Sequence, residues 1–213
     1  MRILLIGAPG SGKGTQADRL AARYQVTHIS SGDLLRQHVQ DATPLGLVVK
    51  NLVENGDFVP DSVVMDMLRK PVLAASEAGG YVLDGFPRSV AQAKAAYAVA
   101  RSLGVEIQVA IHLDVDRDEL VRRLLARSRG SEDTAEVIAH RLDVYLEQTV
   151  PLVDYYTERE WLVHVDGNQP VDAVTQSIVE RIEERLGPPE PGLGLVRQPR
   201  AADASSPDVS AEG

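Results

Sequence analysis

Apolar residues along this chain fall into two kinds of run that alternate. Short runs, hydrophobic on both faces and too short for a helix, read as buried parallel strands. They cover residues 2–6, 26–29, 81–83, 108–113 and 161–165. Between them, apolar residues recur at helical spacing. Such stretches cover 13–24 (Ala17, Leu20, Ala21, Tyr24), Ser31 or Asp33 to about 40 (Leu34, Leu35, Val39), 44–54 and 61–75. Others cover the segment after Pro87 (Ala91, Ala95, Ala98, Leu103), 116–127, 134–157 and 170–186, with a loop at 128–133. Pro151 predicts a bend in the helix over 134–157. This alternation predicts an α/β domain, a five-stranded parallel sheet with helices on both faces. Residues 31–75 break the rhythm: they hold helices and no strand, divided at Asn55-Gly56-Asp57 and Pro60, and read as a small helical insertion.

Composition narrows the picture. The chain has 213 residues, which suits one domain. The absence of cysteine excludes disulfides and thiolate metal sites and fits a reducing cytoplasm. Strand one starts at about residue 2, leaving no room for a signal peptide, and no apolar stretch approaches the ~20 residues of a membrane span. A net charge of -9 argues against a general nucleic-acid surface. Phosphate binding remains open if arginines gather in one cleft. Residues 187–213, with Pro188, Pro189, Pro191, Pro199 and Pro207 among Gly, Ala, Ser and Asp, read as a disordered tail.

The strongest chemical signal follows the first strand: Gly7-Ala8-Pro9-Gly10-Ser11-Gly12-Lys13-Gly14-Thr15, then a helix. Strand, glycine loop and helix are the setting in which a phosphate-binding loop is trusted. Glycines let backbone N–H groups wrap a polyphosphate, and the helix N-terminus adds donors and a positive dipole end. Lys13 adds a point charge that follows the β- and γ-phosphates. The general pattern places Ser or Thr directly after the lysine; here Gly14 stands there and the hydroxyl comes at Thr15.

Three further segments stand at predicted strand ends, where open parallel sheets bind ligands. In Ser30-Ser31-Gly32-Asp33-Leu34-Leu35-Arg36, Ser31 is placed to cap the helix, and Arg36 follows in the second turn. In Tyr81-Val82-Leu83-Asp84-Gly85-Phe86-Pro87-Arg88, an apolar strand ends in Asp84, a magnesium-associated carboxylate beside a phosphate loop or else a capping Asp. Gly85 permits close backbone approach and Arg88 offers a phosphate clamp, with Gln92 on the same helix face. The third segment carries Arg117, Arg122, Arg123, Arg127 and Arg129, with Arg141 downstream. Such a cluster suits the charge that a migrating phosphoryl group spreads over its oxygens, where arginine donors are worth ~10³ to 10⁵ in rate. His28, His38, His112, His140 and His164 lack metal-ligand spacing and read as strand-edge or surface residues.

Together the glycine loop, Ser31-Gly32-Asp33-Leu34-Leu35-Arg36, Asp84-Gly85-Phe86-Pro87-Arg88 and residues 127–141 resemble the adenylate kinase family of the short-lid type, over about residues 1–186. The resemblance implies a three-layer P-loop nucleoside triphosphate hydrolase-type fold, with an AMP-binding insertion at about 31–60 and a short lid at about 127–133. It implies reversible transfer from MgATP to AMP, giving two ADP, by a cytoplasmic monomer. Gly10, Ser11, Gly12, Lys13, Gly14 and Thr15 would cradle the ATP phosphates. Arg123 would stack on the ATP adenine, Arg127 would meet its phosphates and the backbone of Gln169 would contact the base. Ser31, Arg36, Asp57, Phe58, Val59, Gly85, Phe86, Pro87, Arg88, Gln92, Arg129 and Arg141 would form the AMP side. Asp84 would hold the hydration shell of a Mg²⁺ ion carried mainly by the nucleotides. Lys13, Asp84, Arg88, Arg123, Arg129 and Arg141 would be the catalytic set.

Two departures stand out. Ser31 replaces the usual Thr but keeps the hydroxyl, and Gly130-Ser131-Glu132-Asp133 follows Arg129 with one residue more than the usual spacing to an Asp pair. No zinc-ligating lid cysteines are present, so no structural zinc is expected. A UMP/CMP kinase shares the same parts, but Ser31 and Gln92 favour AMP. A GTPase-like switch would need an N-K-x-D motif, which is absent. A non-catalytic nucleotide binder would have no need for the full arginine set.

Overall fold

A computed structural model describes residues 1–127 and 129–187. The predicted tail therefore lies outside the described residues, apart from Gly187. Five parallel strands form one sheet in the order β2-β3-β1-β4-β5. They are β1 (Arg2–Gly7), β2 (Thr27–Ser30), β3 (Tyr81–Asp84), β4 (Val109–Asp114) and β5 (Leu162–Asp166). Helix α1 (Lys13–Tyr24) follows β1; α2 (Ser31–Gln40), α3 (Pro44–Asn55) and α4 (Asp61–Glu77) lie between β2 and β3. Helix α5 (Val90–Leu103) leads to β4, α6 (Arg117–Arg127), α7 (Ala135–Val144) and α8 (Pro151–Thr157) lead to β5, and α9 (Val171–Leu186) closes the domain.

Alternation along the strands sends side chains to two cores. Ile3, Leu5, Val82, Ile111 and Val165 pack with Ala17 and Leu20 of α1 and Ile178 and Ile182 of α9. Leu4, Ile6, Ile29, Leu83 and Ala110 face the other way, onto Leu35, Val49, Leu68, Leu152 and Tyr156. This explains why the strands read as unbroken apolar runs: both faces are covered. A third cluster, Ala8, Leu120, Leu124, Ile138 and Leu142, ties α6 and α7 to the glycine loop. In register, Leu4 pairs with both Leu83 and Ala110, and Leu83 pairs with Ile29. Strand β1 is therefore central, and the sheet order reverses beside it. Ligand crevices form at such a switch point, outside the carboxyl ends of the strands.

Several local expectations are corrected. Ser30, not Ser31, caps α2: its Oγ accepts the Asp33 N–H at 3.2 Å. Arg88 and Gln92 do not share a helix face, because Ser89 caps α5 and the helix starts at Val90. The helix over 134–157 is not one bent rod. Tyr145–Thr149 forms a π-helical stretch, with the Val150 N–H donating to the Tyr145 carbonyl at 3.0 Å. Pro151 has no N–H for the Glu147 carbonyl, and its ring would crowd that carbonyl in an α-turn, so the chain widens before it. Gly130–Asp133 forms a 3₁₀ turn rather than open loop. His112 is buried, not at a strand edge or on the surface. It is hydrogen-bond paired with the Tyr145 hydroxyl at 3.0 Å, and burial pushes its pKa down to about 4. No described helix is long and apolar enough to cross a membrane.

The helical insertion is held by a close contact between α2 and α3. Thr43 caps α3 by accepting the Gly46 N–H at 3.0 Å, while the Thr43 N–H donates to the His38 carbonyl at 3.1 Å. A Cβ on Gly46 would run into that carbonyl. Alanine favours helix over glycine by roughly 0.5–1 kcal/mol, whereas overpacking costs about 1–3 kcal/mol. We therefore expect Gly46→Ala to destabilise the protein by about 1–2 kcal/mol in equilibrium urea unfolding; a stabilised variant would contradict the contact.

Candidate active site

The crevice at the strand ends is a cleft of about 930 Å³. Its floor is the glycine loop. Gly10 and Gly12 adopt φ of 85° and 93°, a left-handed backbone that glycine takes without strain. A Cβ on Gly10 would lie 2.9 Å from Leu124 Cγ, so the loop can press against α6 only with glycine there. Gly12 begins α1 with no side-chain cap. The first-turn N–H groups of α1 thus face the cleft as anion donors.

Lys13 is folded back onto this loop. Its Nζ donates to the carbonyls of Gly7 and Ala8, both at 2.8 Å. Burial first, and then the charges of Arg88, Arg141 and Arg127, lower its pKa to about 8, against a pull upward from Asp84. Asp84 ends β3 beside the loop, and its buried Oδ1 has no hydrogen-bond partner. After the neighbouring strand end, Ser31 Oγ is likewise buried and unpartnered. A Cβ on Gly85 would come within 2.7 Å of that hydroxyl, so glycine keeps the approach open. Buried polar atoms normally have partners, so an orphaned one beside a cleft or cavity has hydrogen-bonding capacity to offer there.

The arginines converge as predicted. Arg36, Arg88, Arg123, Arg127, Arg129 and Arg141 all line the cleft, with Arg122 at its rim. Arg117 does not: it pairs with Asp143 at 3.5 Å on an exposed surface. Arg88 is half-buried, its Nε donating to the Gly85 carbonyl at 2.7 Å, with the guanidinium 5.7 Å above the Phe58 ring. Burial, then repulsion from Arg141, pushes Arg88 below its ordinary pKa. Arg141 and Arg129 are shifted down too, each mainly by burial.

The carboxylates that hold these cations were not among the predicted site residues. Glu132 lies 3.2 Å from Arg141 and 3.5 Å from Arg36. Asp133 takes both Nε and NH2 of Arg127, at 3.0 and 2.6 Å, and also the Arg129 N–H at 2.8 Å. Glu119 accepts Arg123 Nε at 2.7 Å, and Arg123 also donates to the Gly167 carbonyl at 3.0 Å. Arg36 pairs with Asp33 as well. The available signal was the altered run after Arg129: two acids amid arginines, on a turn that packs against α3. Gln169 lines the opposite wall beside Gly167 and Asn168.

A smaller cavity of about 50 Å³ adjoins the cleft, sharing Gly32, Arg36, Phe58 and Arg88 with it. Ser31, Phe58, Val59, Gly85, Phe86 and Gln92 line it, and Asp57 reaches His140 of α7 at 2.8 Å. Pro87 lines the main cleft. The site can therefore take a polyphosphate on the loop and a second anionic group among Arg36, Arg88, Arg129 and Arg141. Among the described residues no cluster of His, Asp and Glu could hold a metal ion alone.

Comparison with known proteins agrees. The family model for adenylate kinase matches residues 5–161. The adenylate kinase of Kocuria rhizophila is 44% identical over 185 residues, spanning 85% of this chain and 98% of that protein. That of Trichodesmium erythraeum is 41% identical over 189 residues, 86% and 98% respectively. That of Thermobifida fusca is 40% identical over 188 residues, covering 87% of this chain and all of its own length.

The lowered Lys13 pKa has a measurable sign. A bound polyphosphate favours protonated lysine, so binding above pH 8 requires proton uptake and weakens as pH rises. We expect the advantage of wild type over Lys13→Met in tripolyphosphate affinity, measured by calorimetry, to be constant below about pH 8. Above it, the advantage should shrink by up to about tenfold per pH unit. A constant advantage from pH 7 to 10 would contradict this assignment.

Proposed function

The chain belongs to the adenylate kinase family, and on that premise we propose how its residues divide the family's reaction. The enzyme transfers the terminal phosphoryl group of ATP reversibly to AMP, giving two ADP, in adenine nucleotide homeostasis. The observation that carries the residue assignment is the single cleft. It gathers Lys13, Asp84 and the convergent arginines, and the adjoining small cavity adds Ser31; Asp84 Oδ1 and Ser31 Oγ are both buried and unpartnered.

On the donor side, Gly10, Ser11, Gly12, Lys13, Gly14 and Thr15 hold the ATP phosphates through backbone N–H groups. Lys13 leaves its carbonyl partners and follows the transferred group. Arg123 covers the adenine, beside the backbone of Gln169, and Arg127 meets the phosphates. On the acceptor side, Arg36, Arg88, Arg129 and Arg141 hold the AMP phosphate. Ser31, Asp57, Phe58, Val59, Gly85, Phe86, Pro87 and Gln92 enclose its nucleoside.

The AMP phosphate oxygen is already an anionic nucleophile, so in-line transfer needs little acid–base chemistry and no covalent intermediate. The protein positions both groups, stabilises the equatorial charge and excludes water. Asp84 fits the hydration shell of a Mg²⁺ brought by ATP, because its buried Oδ1 has no protein partner. When bound, that ion neutralises charge on the phosphates. The segment at 31–60 acts as the AMP-binding part and 127–133 as the short lid; their closure and reopening gate turnover. We also place the enzyme in the cytoplasm as a monomer.

The deciding experiment is a coupled assay of ADP formation from MgATP with and without AMP. Production of two ADP per AMP consumed is expected, and AMP-independent ADP release would overturn the reading. Arg88→Ala should lower the rate at least ~10²-fold, as removal of a transition-state charge contact does. Wild-type turnover in that variant would sink its assignment. Because Glu132 occupies Arg36 and Arg141, the AMP phosphate must displace a carboxylate. Glu132→Gln should therefore lower KM for AMP by roughly 3- to 10-fold, a gain of about 0.7–1.4 kcal/mol. An unchanged or raised KM would show that Glu132 does not compete.

A further inference from the structure

We infer that Asp61, the first residue of α4, is a positioning residue that makes the acceptor site select adenine over 6-oxopurines, acting through Gln92. The inference rests on the reading of Gln92 as a residue of the acceptor nucleoside pocket. Gln92 is buried and lines the small cavity of that pocket. Its amide is gripped from two sides. Gln92 Nε2 donates to Asp61 Oδ1 at 2.6 Å, and Gln92 Oε1 accepts the Arg88 backbone N–H at 2.7 Å.

A primary amide can usually rotate by 180° and exchange its donor and acceptor. Here it cannot. A carboxylate only accepts and a backbone N–H only donates, so a flipped amide would set oxygen against oxygen and N–H against N–H. Two independent partners therefore impose one orientation. They leave one Nε2 hydrogen and one Oε1 lone pair, which have no other partner among the described residues.

That fixed pair is complementary to one kind of purine edge. Adenine offers a 6-amino donor beside the N1 acceptor, and the amide answers with Oε1 and Nε2. Hypoxanthine and guanine present the reverse, a 6-oxo acceptor beside an N1–H donor. In the same pose they would meet oxygen with oxygen and N–H with N–H. A site built to hydrogen-bond one pattern rejects the other strongly, because its buried polar groups are left unpaired. A freely rotating glutamine would accept both. The selectivity lies in the constraint on the amide, and Asp61 supplies half of it from outside the cavity.

The test is kcat/KM for AMP against inosine monophosphate, with MgATP as donor, in wild type and variants. Asp61→Asn is nearly isosteric, but its side chain can donate or accept, so it removes one of the two restraints and leaves only the Arg88 N–H to oppose a turned amide. The AMP preference is expected to fall at least about tenfold, with part of the change from improved use of inosine monophosphate. Asp61→Glu keeps an acceptor-only group and should retain the preference. Asp61→Ser, which is well tolerated at a helix start and can also donate or accept, carries the same test if Asp61→Asn does not fold. Loss of helix stability alone would slow both acceptors equally and leave the ratio in place. Gln92→Ala separates the two readings. If it collapses the ratio while Asp61→Asn and Asp61→Ser do not, Asp61 does not orient the amide. If neither Gln92→Ala nor the Asp61 variants change the ratio, Gln92 does not read the acceptor base, and its place under the proposed function falls as well.

Discussion

Positive charge gathered in one cleft is the constraint that shapes this molecule. Lys13, Arg36, Arg88, Arg123, Arg127, Arg129 and Arg141 line one opening, and burial lowers the pKa of several of them. Such a gathering repels itself, and buried cations are costly unless paired. The fold answers with carboxylates drawn from separate elements. Glu119 of α6 steadies Arg123, Asp133 of the 3₁₀ turn takes Arg127, and Glu132 spans Arg36 and Arg141.

Such contacts also link separate elements. Glu132 sits on the turn between α6 and α7 yet reaches Arg36 of α2, and His140 of α7 meets Asp57 after α3. The two sides of the cleft are thus joined by the Glu132–Arg36 ion pair and the His140–Asp57 hydrogen bond. The sheet beneath is different. Leu4, Ile111, Leu20 and Ile178 are essentially inaccessible, so the floor carrying the glycine loop and Asp84 is rigid.

The Gln92 amide is oriented by Asp61, outside the cavity that it lines, and by the Arg88 backbone. Gln92 lines the small cavity, but Asp61 and the Arg88 backbone decide what it can offer. Arg88 makes two contacts there: its side chain lines the main cleft while its main-chain N–H donates to the Gln92 amide.

Much of this was legible in the sequence by itself. Strands buried on both faces must be continuous apolar runs, so all five strands could be read within a residue or two. The glycine loop, Asp84 and the arginines could be found because a phosphate site demands those residue types at strand ends. Tertiary structure decided what depends on distant partners. Whether Ser30 or Ser31 caps α2 turns on backbone direction, and it left Ser31 Oγ free for the site. Arg117 and Arg123 look alike in sequence, but only the helix rotation sends one to Asp143 and the other to the cleft. The role of Glu132, like that of Asp61, arises across 96 and 31 positions of chain respectively, where periodicity carries no information. Local spacing encodes local structure; charge pairing between elements is set only when the fold brings them together.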